Sequence, residues 1–315
     1  MDLFDLGWNG GAPAEDLGRV MSVERRCWQV ETSRGPVTAV VAGRLYKDDV
    51  GPSPGGGQPV VGDWVRLEPG RDRHRIVELL PRASWLTRRV VGRDRRDRGR
   101  SQVLCANVDR MFAVTAAGTD FSPRRVERFV TLAREGKCDP VVVLNKADQA
   151  EDLDARLAAL RAAAPGAPVL STVATRSDGW QALEPYLEPK TTVAFIGASG
   201  VGKSTLVNRV LGDAAQRTGE VRATDQKGRH TTTQRHLFVA PSGVLVIDNP
   251  GVREVGILEE GLAEAFPDIG ELAAGCRFRD CQHRHEPGCA VRAAVDAGRL
   301  PAERLQSFLR LQEQA

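Results

Sequence analysis

Residues 197–205 have the types and spacing of a phosphate-binding loop. They read Gly-Ala-Ser-Gly-Val-Gly-Lys-Ser-Thr, which contains the pattern G-x4-G-K-[ST]. The glycines let backbone N–H groups turn inward around a β-phosphate, while Lys203 reaches the β and γ oxygens and the Ser204 hydroxyl reaches Mg²⁺. We therefore predict a nucleoside triphosphate site in which Lys203 also acts in catalysis. The predicted binding residues are Gly197, Ala198, Ser199, Gly200, Val201, Gly202, Lys203, Ser204 and Thr205.

A tetrapeptide further upstream predicts which base is bound. Asn145-Lys-Ala-Asp follows the apolar run 140–144, so it stands at the end of a predicted strand. Asp148 can accept hydrogen bonds from the N1–H and 2-amino groups of guanine, whereas adenine offers neither donor and would leave the carboxylate unpaired. Lys146 would lie along the base and ribose. The predicted guanine-binding residues are Asn145, Lys146, Ala147 and Asp148.

Two further segments could complete a Mg²⁺ and γ-phosphate site. Asp248-Asn-Pro-Gly follows the apolar run 244–247, where Asp248 can hold a Mg²⁺-bound water and the Gly251 amide can contact the γ-phosphate in catalysis. The segment 227–233 ends in three threonines, any one of which could supply a Mg²⁺ ligand. We choose Thr232 and leave 231 and 233 open, so the predicted magnesium residues are Ser204, Thr232 and Asp248.

The group that positions the attacking water is not where many GTPases have it. Those enzymes carry a glutamine just after the D-x-x-G motif, and this chain has Val252 there. Intrinsic hydrolysis is therefore expected to be slow. His230, beside the threonines, is our candidate to orient or deprotonate water. The alternative is a loop histidine that makes an RNA or structural contact.

Three of the six cysteines crowd into the C-terminal part of the chain with a metal-site spacing. Cys276-x4-Cys281-x-His283-x5-Cys289 supplies three thiolates and an imidazole. Four such ligands close a tetrahedral structural zinc site that leaves no open position for catalysis. His285 is a rival fourth ligand on spacing alone. The sequence therefore predicts one structural Zn²⁺, in addition to the Mg²⁺ that accompanies GTP.

The elements that must position these residues can be read from apolar patterns. From residue 108 onward, short apolar runs alternate with amphipathic stretches, which predicts a parallel sheet with both faces covered. The order of the motifs is unusual, because the base-reading tetrapeptide precedes the phosphate loop. The same sheet can form if the domain is circularly permuted. Asp248 and Gly251 then lead directly into the cysteine-rich segment, so that loss of the γ-phosphate would be transmitted to the C-terminal domain.

The N-terminal part has a different pattern of polar and apolar residues. Residues 20–85 alternate polar and apolar side chains in short stretches separated by Gly and Pro, which predicts a small antiparallel barrel of the OB type. We predict a multidomain protein: an all-β OB-type barrel, a central α/β circularly permuted P-loop GTPase, and a mainly helical zinc-binding domain. The predicted boundaries are an N-terminal extension at 1–19, the barrel at 20–86, an arginine-rich linker at 87–102, the GTPase domain at 103–256 and the zinc domain at 257–315.

Basic residues are unevenly distributed. The net charge is only +3, but residues 82–100 contain eight arginines against two aspartates. This segment is either a phosphate-contacting arm or a solvated loop in an arginine-rich chain. Only six of the 44 basic residues are lysines, which weakens the argument from any arginine cluster. The predicted RNA-contacting residues are Arg88, Arg89, Arg93, Arg95 and Arg96.

The composition narrows the class of protein. A chain of 315 residues that is 41% hydrophobic is expected to fold into two or three domains. It contains no apolar run of about 18 residues, which is what a membrane span requires. The N-terminal sequence lacks the basic flank and apolar core of a signal peptide, so we expect a cytoplasmic protein with no membrane partner.

These motifs together resemble those of the ribosome small subunit-dependent GTPase A family, whose members are circularly permuted GTPases with OB and zinc domains. The resemblance extends over about residues 20–300. It is carried by residues 197–205, by Gly-Arg-His-Thr-Thr-Thr at 228–233, by Asp-Asn-Pro-Gly-Val-Arg-Glu at 248–254, and by the cysteine cluster. It favours His283 over His285 as the fourth metal ligand.

The resemblance also implies binding partners, and this chain differs from the family pattern at two positions. It implies a monomer that binds GTP and GDP and that acts on the 30S ribosomal subunit, with its 16S rRNA and ribosomal proteins, during late maturation. It further implies that the 30S subunit stimulates GTP hydrolysis. Asn249 stands where the family usually has Ser or Thr. In the base-closing loop, where the family usually has Ser-Ala, this chain has Val173 and Ala174. The Ala174 N–H can still meet guanine O6, but the serine hydroxyl that would support the loop is absent.

Two hypotheses of different class follow. The first is a GTPase timer that docks on 30S with GTP and leaves after hydrolysis. The second is a non-enzymatic rRNA-binding scaffold with a residual GTP site. Retention of Lys203, Ser204, Asp148 and Asp248 favours the first. A GTPase of another RNA particle, such as the large subunit, is a third reading, against which the OB and zinc flanks argue.

Overall fold

The computed structural model describes residues 2–24, 26–43, 58–89, 101–118, 121–212, 235–248, 267–278 and 281–313. The chain forms two compact units, one of residues 1–88 and 100–253 and one of residues 89–99 and 254–315. Several residues that the sequence singled out lie outside the described residues. They are Arg93, Arg95, Arg96, His230, Thr232, Asn249, Gly251 and Val252.

The first five strands of unit 1 close into a barrel, as the alternating pattern predicted. They are β1 (Leu17–Glu24), β2 (Cys27–Thr32), β3 (Gly35–Val41), β4 (Trp64–Glu68) and β5 (His74–Leu79). Their order is β1-β2-β3-β5-β4, and β1 pairs again with β4 to close the ring. Only the β3–β5 pair is parallel among these pairings. Trp28, Val30 and Ile76 are among the side chains that fill the barrel.

The barrel begins earlier than the alternation suggested. Strand β1 starts at Leu17, and Leu3 and Leu6 are fully buried. Arg19 of β1 explains part of this packing, because its buried guanidinium donates to the Leu6 carbonyl and also to Thr192 Oγ1 at 2.9 Å. Burial, opposed by Asp109 and Asp63, lowers the pKa of Arg19 to about 10. Residues of the predicted N-terminal extension therefore pack into unit 1.

Six further strands form the sheet of the α/β part of unit 1. They are β8 (Arg110–Ala116), β9 (Asp139–Asn145), β10 (Val169–Ser171), β11 (Thr192–Gly197), β12 (His236–Val239) and β13 (Leu245–Asp248), in the order β10-β9-β8-β11-β13-β12. The helices between them are α1 (Pro123–Glu135), α2 (Leu153–Ala163) and α3 (Lys203–Leu211). Every residue of β11 is buried, as expected for a strand covered on both faces.

Five of these strands are parallel, but the sixth corrects the prediction of a purely parallel sheet. Strand β12 pairs antiparallel with β13. The two are joined by a tight turn in which Ala240 N donates to Val244 O at 2.8 Å. Such a turn is too short for the crossover that a parallel pair requires. Ser22 of β1 also pairs with His236, so the barrel and the sheet are hydrogen-bonded to each other.

The predicted linker is bounded by two paired strands. β6 (Trp85–Arg89) and β7 (Ser101–Ala106) form a two-stranded sheet, so residues 87–89 and 101–102 belong to strands rather than to a linker. Arg82 is also not part of a solvated arm. Its guanidinium forms a two-point ion pair with Asp63 at 2.7 and 2.8 Å, and both side chains are 0% exposed.

Unit 2 contributes three helices in its described part. They are α4 (Pro267–Ala273), α5 (Ala290–Asp296) and α6 (Ala302–Glu313). Ile269, Val291 and Leu300 lie in a small apolar core, against which Cys276 and Cys281 also pack. Within the described residues of the chain, no helix has the length and apolar character needed to cross a membrane.

Candidate nucleotide and metal sites

The phosphate loop connects the end of β11 to the start of α3. Gly200 and Gly202 have φ values of +82° and +96°, which glycine adopts without strain. Lys203 Nζ donates to the carbonyls of Gly197 and Ala198, each at 2.6 Å, so the ammonium group spans the loop. Helix α3 begins at Lys203, so the N-terminal turn of the helix lies next to the loop. The loop can therefore surround a phosphate with backbone donors.

Asn145 joins the phosphate loop to the base side of the site. Its side chain is almost fully buried, and Nδ2 donates to Val201 O at 2.8 Å. Its Oδ1 accepts from Thr172 Oγ1 and from Ala174 N, each at 3.1 Å. A Cβ at Gly202 would lie 2.2 Å from Asn145 Nδ2, so glycine is required for this close approach. Asn145 thus fixes the positions of two loops.

The rest of the tetrapeptide is presented at the edge of the sheet. Lys146 has a left-handed φ of +55°, which turns the chain out of β9 into a short 3₁₀ helix, Ala147–Gln149. Ala147 N donates to Thr172 O at 3.0 Å. Asp148 lies in this helix with its carboxylate exposed. An exposed carboxylate on a fixed turn can accept hydrogen bonds from a planar base.

The base-closing loop, residues 172–179, is held by more contacts than its sequence suggests. Val173 N donates to Gly179 O at 2.7 Å, and Ala174 is buried. The Ala174 N–H, which we expected opposite guanine O6, donates to Asn145 Oδ1 in this structure. Arg209 of α3 donates from Nε to Ala174 O and from Nη2 to Thr175 O, each at 3.0 Å.

Sequence reasoning missed Thr172 and Arg209. Thr172 is buried and donates its hydroxyl to Asn145 Oδ1, the contact that orients the asparagine. A threonine two residues after the predicted strand at 169–170 was the available signal. Arg209 gave no signal of its own, because arginine is common throughout this chain and its contacts lie far away in sequence.

Asp248 is brought to the same edge as the phosphate loop. It is the last residue of β13, which pairs in parallel with β11, the strand that ends at Gly197. Asn145 ends β9 at this edge as well. The carboxyl ends of parallel strands form the usual binding edge of such sheets. Arg88 and Arg89, the predicted RNA-contacting residues that the structure describes, end strand β6.

The cysteine cluster of unit 2 has the geometry of a closed metal site. The ligand atoms of Cys276, Cys281, His283 and Cys289 all lie within 4.8 Å of one another. His283 Nδ1 is 3.6 Å from Cys276 Sγ and 3.4 Å from Cys289 Sγ, and these two sulfurs are 4.0 Å apart. A tetrahedron with metal–sulfur bonds of about 2.3 Å has ligands about 3.8 Å apart. The arrangement therefore fits zinc, with His283 rather than His285 as the fourth ligand.

Backbone amides prepare these groups to bind a cation. Ala290 N donates to Cys276 Sγ at 3.3 Å, and Arg292 N donates to Cys289 Sγ at 3.4 Å. Burial opposes ionisation of Cys276, but backbone N–H donors from Ala290 and Val291, together with hydrogen bonds from the neighbouring thiols, outweigh it and lower the pKa of the Cys276 thiol. Burial lowers the pKa of His283 despite the nearby Glu286, which favours the neutral imidazole that metals bind.

Glu286 orders the loop between the ligands. Its carboxylate accepts from the backbone N–H groups of Gln282, Arg284 and His285 at 2.9–3.0 Å. The backbone N–H of Glu286 itself, together with these three donors, outweighs burial and lowers the pKa of Glu286 to about 2. His283 occupies a left-handed conformation with φ +60° within this loop. The carboxylate thereby stabilises the turn that aims His283 Nδ1 at the sulfurs.

A family profile and the sequences of known proteins both relate this chain to one family of GTPases. The profile of the RsgA GTPase family matches residues 79–258. The small ribosomal subunit biogenesis GTPase RsgA of Opitutus terrae is 43% identical, over all of this chain and 90% of the relative. The protein of the same name from Methanosarcina acetivorans is 42% identical, over 94% of this chain and 79% of the relative.

Solved structures agree in fold. YjeQ from Thermotoga maritima is 25% identical with a TM-score of 0.56, over 95% of this chain and 98% of that one. YloQ, described as a circularly permuted GTPase, is 24% identical with a TM-score of 0.51, over 97% of both chains. The permuted GTPase fold predicted from the order of the motifs is thus confirmed.

Proposed function

The chain belongs to the RsgA family of GTPases and hydrolyses GTP, and we propose that it acts as a late maturation factor of the small ribosomal subunit. In this proposal the GTP form binds the 30S particle through its 16S rRNA and ribosomal proteins. The particle stimulates hydrolysis, and the GDP form leaves. The names of the relatives, which are small ribosomal subunit biogenesis GTPases, support the choice of this subunit.

The observation that carries the proposal is that several predicted nucleotide-binding residues in the described part of the chain meet at one edge of the sheet. At this edge β9 ends at Asn145, β13 ends at Asp248, and α3 begins at Lys203. Asp148 lies in the exposed 3₁₀ helix that follows Asn145. Asp148 would accept from N1–H and the 2-amino group of guanine. A scaffold with a decayed site would not need Asn145 to hold two loops through three hydrogen bonds.

The same site would hold Mg²⁺ with GTP. Ser204 begins α3 next to Lys203, and Asp248 lies at the end of the neighbouring strand. We propose that Ser204, Thr232 and Asp248 surround the ion, directly or through water. When bound, Mg²⁺ neutralises charge on the β- and γ-phosphates. The Gly251 amide is proposed to contact the γ-phosphate.

The proposed water-positioning residue is His230. Val252 cannot orient water, so intrinsic hydrolysis should be slow and the ribosomal particle should supply part of the missing catalysis. Single-turnover GTP hydrolysis by His230→Ala, with and without 30S particles, tests this role. We expect a loss of at least tenfold in the stimulated rate. An unchanged stimulated rate would remove His230 from the mechanism.

Two surfaces are proposed to contact rRNA. One is the arginine-rich segment that includes Arg88, Arg89, Arg93, Arg95 and Arg96. The other lies on the barrel, where Arg71, Arg73 and Arg75 line a groove with Val40 and Pro69. OB folds bind oligonucleotides with the loops and strand faces of this region. Arginines there can contact phosphate without reading sequence.

The second unit is proposed to be a zinc domain that also docks on the particle. Its Cys3His donor set and its ligand distances support one structural Zn²⁺. The ion would hold Cys276, Cys281, His283 and Cys289 together and would take no part in GTP chemistry. We further propose that the protein works as a monomer in the cytoplasm, where ribosomal subunits are assembled.

Co-sedimentation with purified subunits tests the proposed function. The protein, loaded with a non-hydrolysable GTP analogue or with GDP, is centrifuged with 30S or 50S particles, and Lys203→Ala serves as the control variant. We expect the analogue form to bind 30S at least tenfold more tightly than the GDP form, and to bind 50S weakly. Equal binding of both nucleotide forms would support a scaffold instead, and preference for 50S would support a large-subunit factor.

A further inference from the structure

Arg209 connects the phosphate-loop helix to the base-closing loop. It lies in the last turn of α3, the helix that begins at Lys203. Its guanidinium is partly buried and donates from Nε to Ala174 O and from Nη2 to Thr175 O, each at 3.0 Å. A guanidinium is planar and rigid, so two donors can meet two consecutive carbonyls at once. This contact fixes both the position and the orientation of the loop.

The other side of the same loop is fixed by Asn145. Its Oδ1 accepts from Thr172 Oγ1 and from Ala174 N. Residues 172–175 are therefore held by four side-chain hydrogen bonds, two to Asn145 and two from Arg209. Both anchors also belong to the phosphate side of the site, because Asn145 Nδ2 bonds to Val201 O and Arg209 belongs to α3.

The loop has a specific need for such an anchor. Val173 stands at the first position of the Ser-Ala pair, and its side chain has no hydroxyl with which to brace the turn. The backbone bonds of Val173 with Gly179 and Arg176 close the turn on itself but do not attach it to the sheet or to α3. Asn145 of β9 attaches the loop to the sheet, and the two carbonyl contacts of Arg209 attach it to α3.

We propose that Arg209 is a positioning residue for guanine recognition, which sets the base-closing loop against the 6-position of the base. This inference rests on the proposed binding of guanine at Asp148 and the 172–175 loop. A base with a carbonyl at position 6 would be accepted when the Ala174 N–H, which donates to Asn145 Oδ1 in this structure, faces that carbonyl, and a base with a 6-amino group would be rejected. Because α3 also carries Lys203, the arginine sets the base loop relative to the phosphates.

Nucleotide affinities of Arg209→Ala separate this role from a general structural one. GDP and IDP both carry the 6-carbonyl, so we expect both to bind about tenfold more weakly, which corresponds to about 1.4 kcal/mol. ADP lacks that group, so its weak binding should change by less than twofold. Arg209→Lys should recover part of the loss, since an ammonium can reach only one carbonyl well. Arg161→Ala, at an exposed arginine near the end of α2, is the matched control and should change nothing.

The outcomes distinguish the possible failures. If GDP, IDP and ADP weaken by the same factor, Arg209 merely supports the phosphate loop and the inference is wrong. If none of the three changes, the contact has no function in binding, and the inference is equally wrong. Asp148→Asn tests the assignment beneath it: the preference for GDP over IDP should disappear, because only GDP has the 2-amino group. If that preference persists in Asp148→Asn, the proposed guanine site itself fails.

Discussion

The nucleotide site and the metal site are built in opposite ways. The nucleotide site lies on the edge of a sheet whose strands are buried, so its loops rest on a core that exists without them. The candidate metal site lies in a unit with a small apolar core, which contains Cys289 and against which Cys276 and Cys281 pack. We therefore propose that the fold of unit 1 supports the first site, whereas a metal bound at the second site would support the fold of unit 2.

This difference predicts how each region responds when its site is damaged. Changes at the nucleotide site should cost affinity and leave unit 1 folded. Changes at the metal site should unfold unit 2. The predictions below test this contrast, in order of decreasing effect.

Removal of the metal should give the largest effect. Structural zinc contributes roughly 10–16 kcal/mol to small zinc domains, more than a core of this size can replace. Treatment with a zinc chelator, followed by hydrogen exchange and mass spectrometry, should abolish protection across 267–313. The affinity for GDP should remain within twofold.

Cysteine variants provide the matched comparison for metal removal. Cys289→Ser should reproduce the loss of protection, because it removes a ligand that also caps α5. Cys27→Ser, in the barrel, should have no effect on zinc content or on unit 2. Persistent protection of 267–313 without metal would contradict the contrast between the two sites.

Arg82→Ala should destabilise unit 1 without changing nucleotide affinity. The variant leaves the buried Asp63 carboxylate without its two-point partner, which typically costs about 3–5 kcal/mol. Chemical denaturation of unit 1 measures the loss. Arg66→Ala is the control, because its pair with Asp16 is about half exposed and should contribute less than about 1 kcal/mol. Equal losses in the two variants would show that burial does not govern these pairs.

Asn145→Ala, in contrast to Arg82→Ala, should weaken nucleotide binding strongly and destabilise unit 1 only slightly. Removal of its three hydrogen bonds frees two loops, and we expect the affinity for GDP to fall about 100-fold. The free energy of unfolding should fall by only about 1–3 kcal/mol, since the strand beneath it remains packed. Isothermal titration and denaturant titration measure the two quantities. Gln149→Ala, on the exposed 3₁₀ helix nearby, is the control. An affinity within threefold of the parent protein would refute the bridging role of Asn145.

Much of unit 1 could be predicted because its signals are local. Apolar runs gave the strands β8, β9, β10, β11 and β13, and glycine spacing gave the phosphate loop. Strand β12 was missed because four residues, His236–Val239, are too few to show a period. Its antiparallel direction follows from a turn whose tightness becomes visible only in the structure.

The unpredicted parts depend on partners distant in sequence. The sequence places Arg82 in an arginine-rich segment that is either an arm or a solvated loop, because nothing local indicates that Asp63 will be buried beside it. Arg209 was overlooked for the same reason, since its partners are the carbonyls of Ala174 and Thr175. Spacing alone also could not choose between His283 and His285. The turn at His283, braced by Glu286, decides between them.

Single-turnover GTP hydrolysis with no particle, with 30S, with 50S and with 70S tests the central claim most directly. The account predicts slow hydrolysis by the free protein, because Val252 cannot orient water, and stimulation of at least tenfold by 30S alone. Equal stimulation by all three particles, or none by any of them, would contradict it.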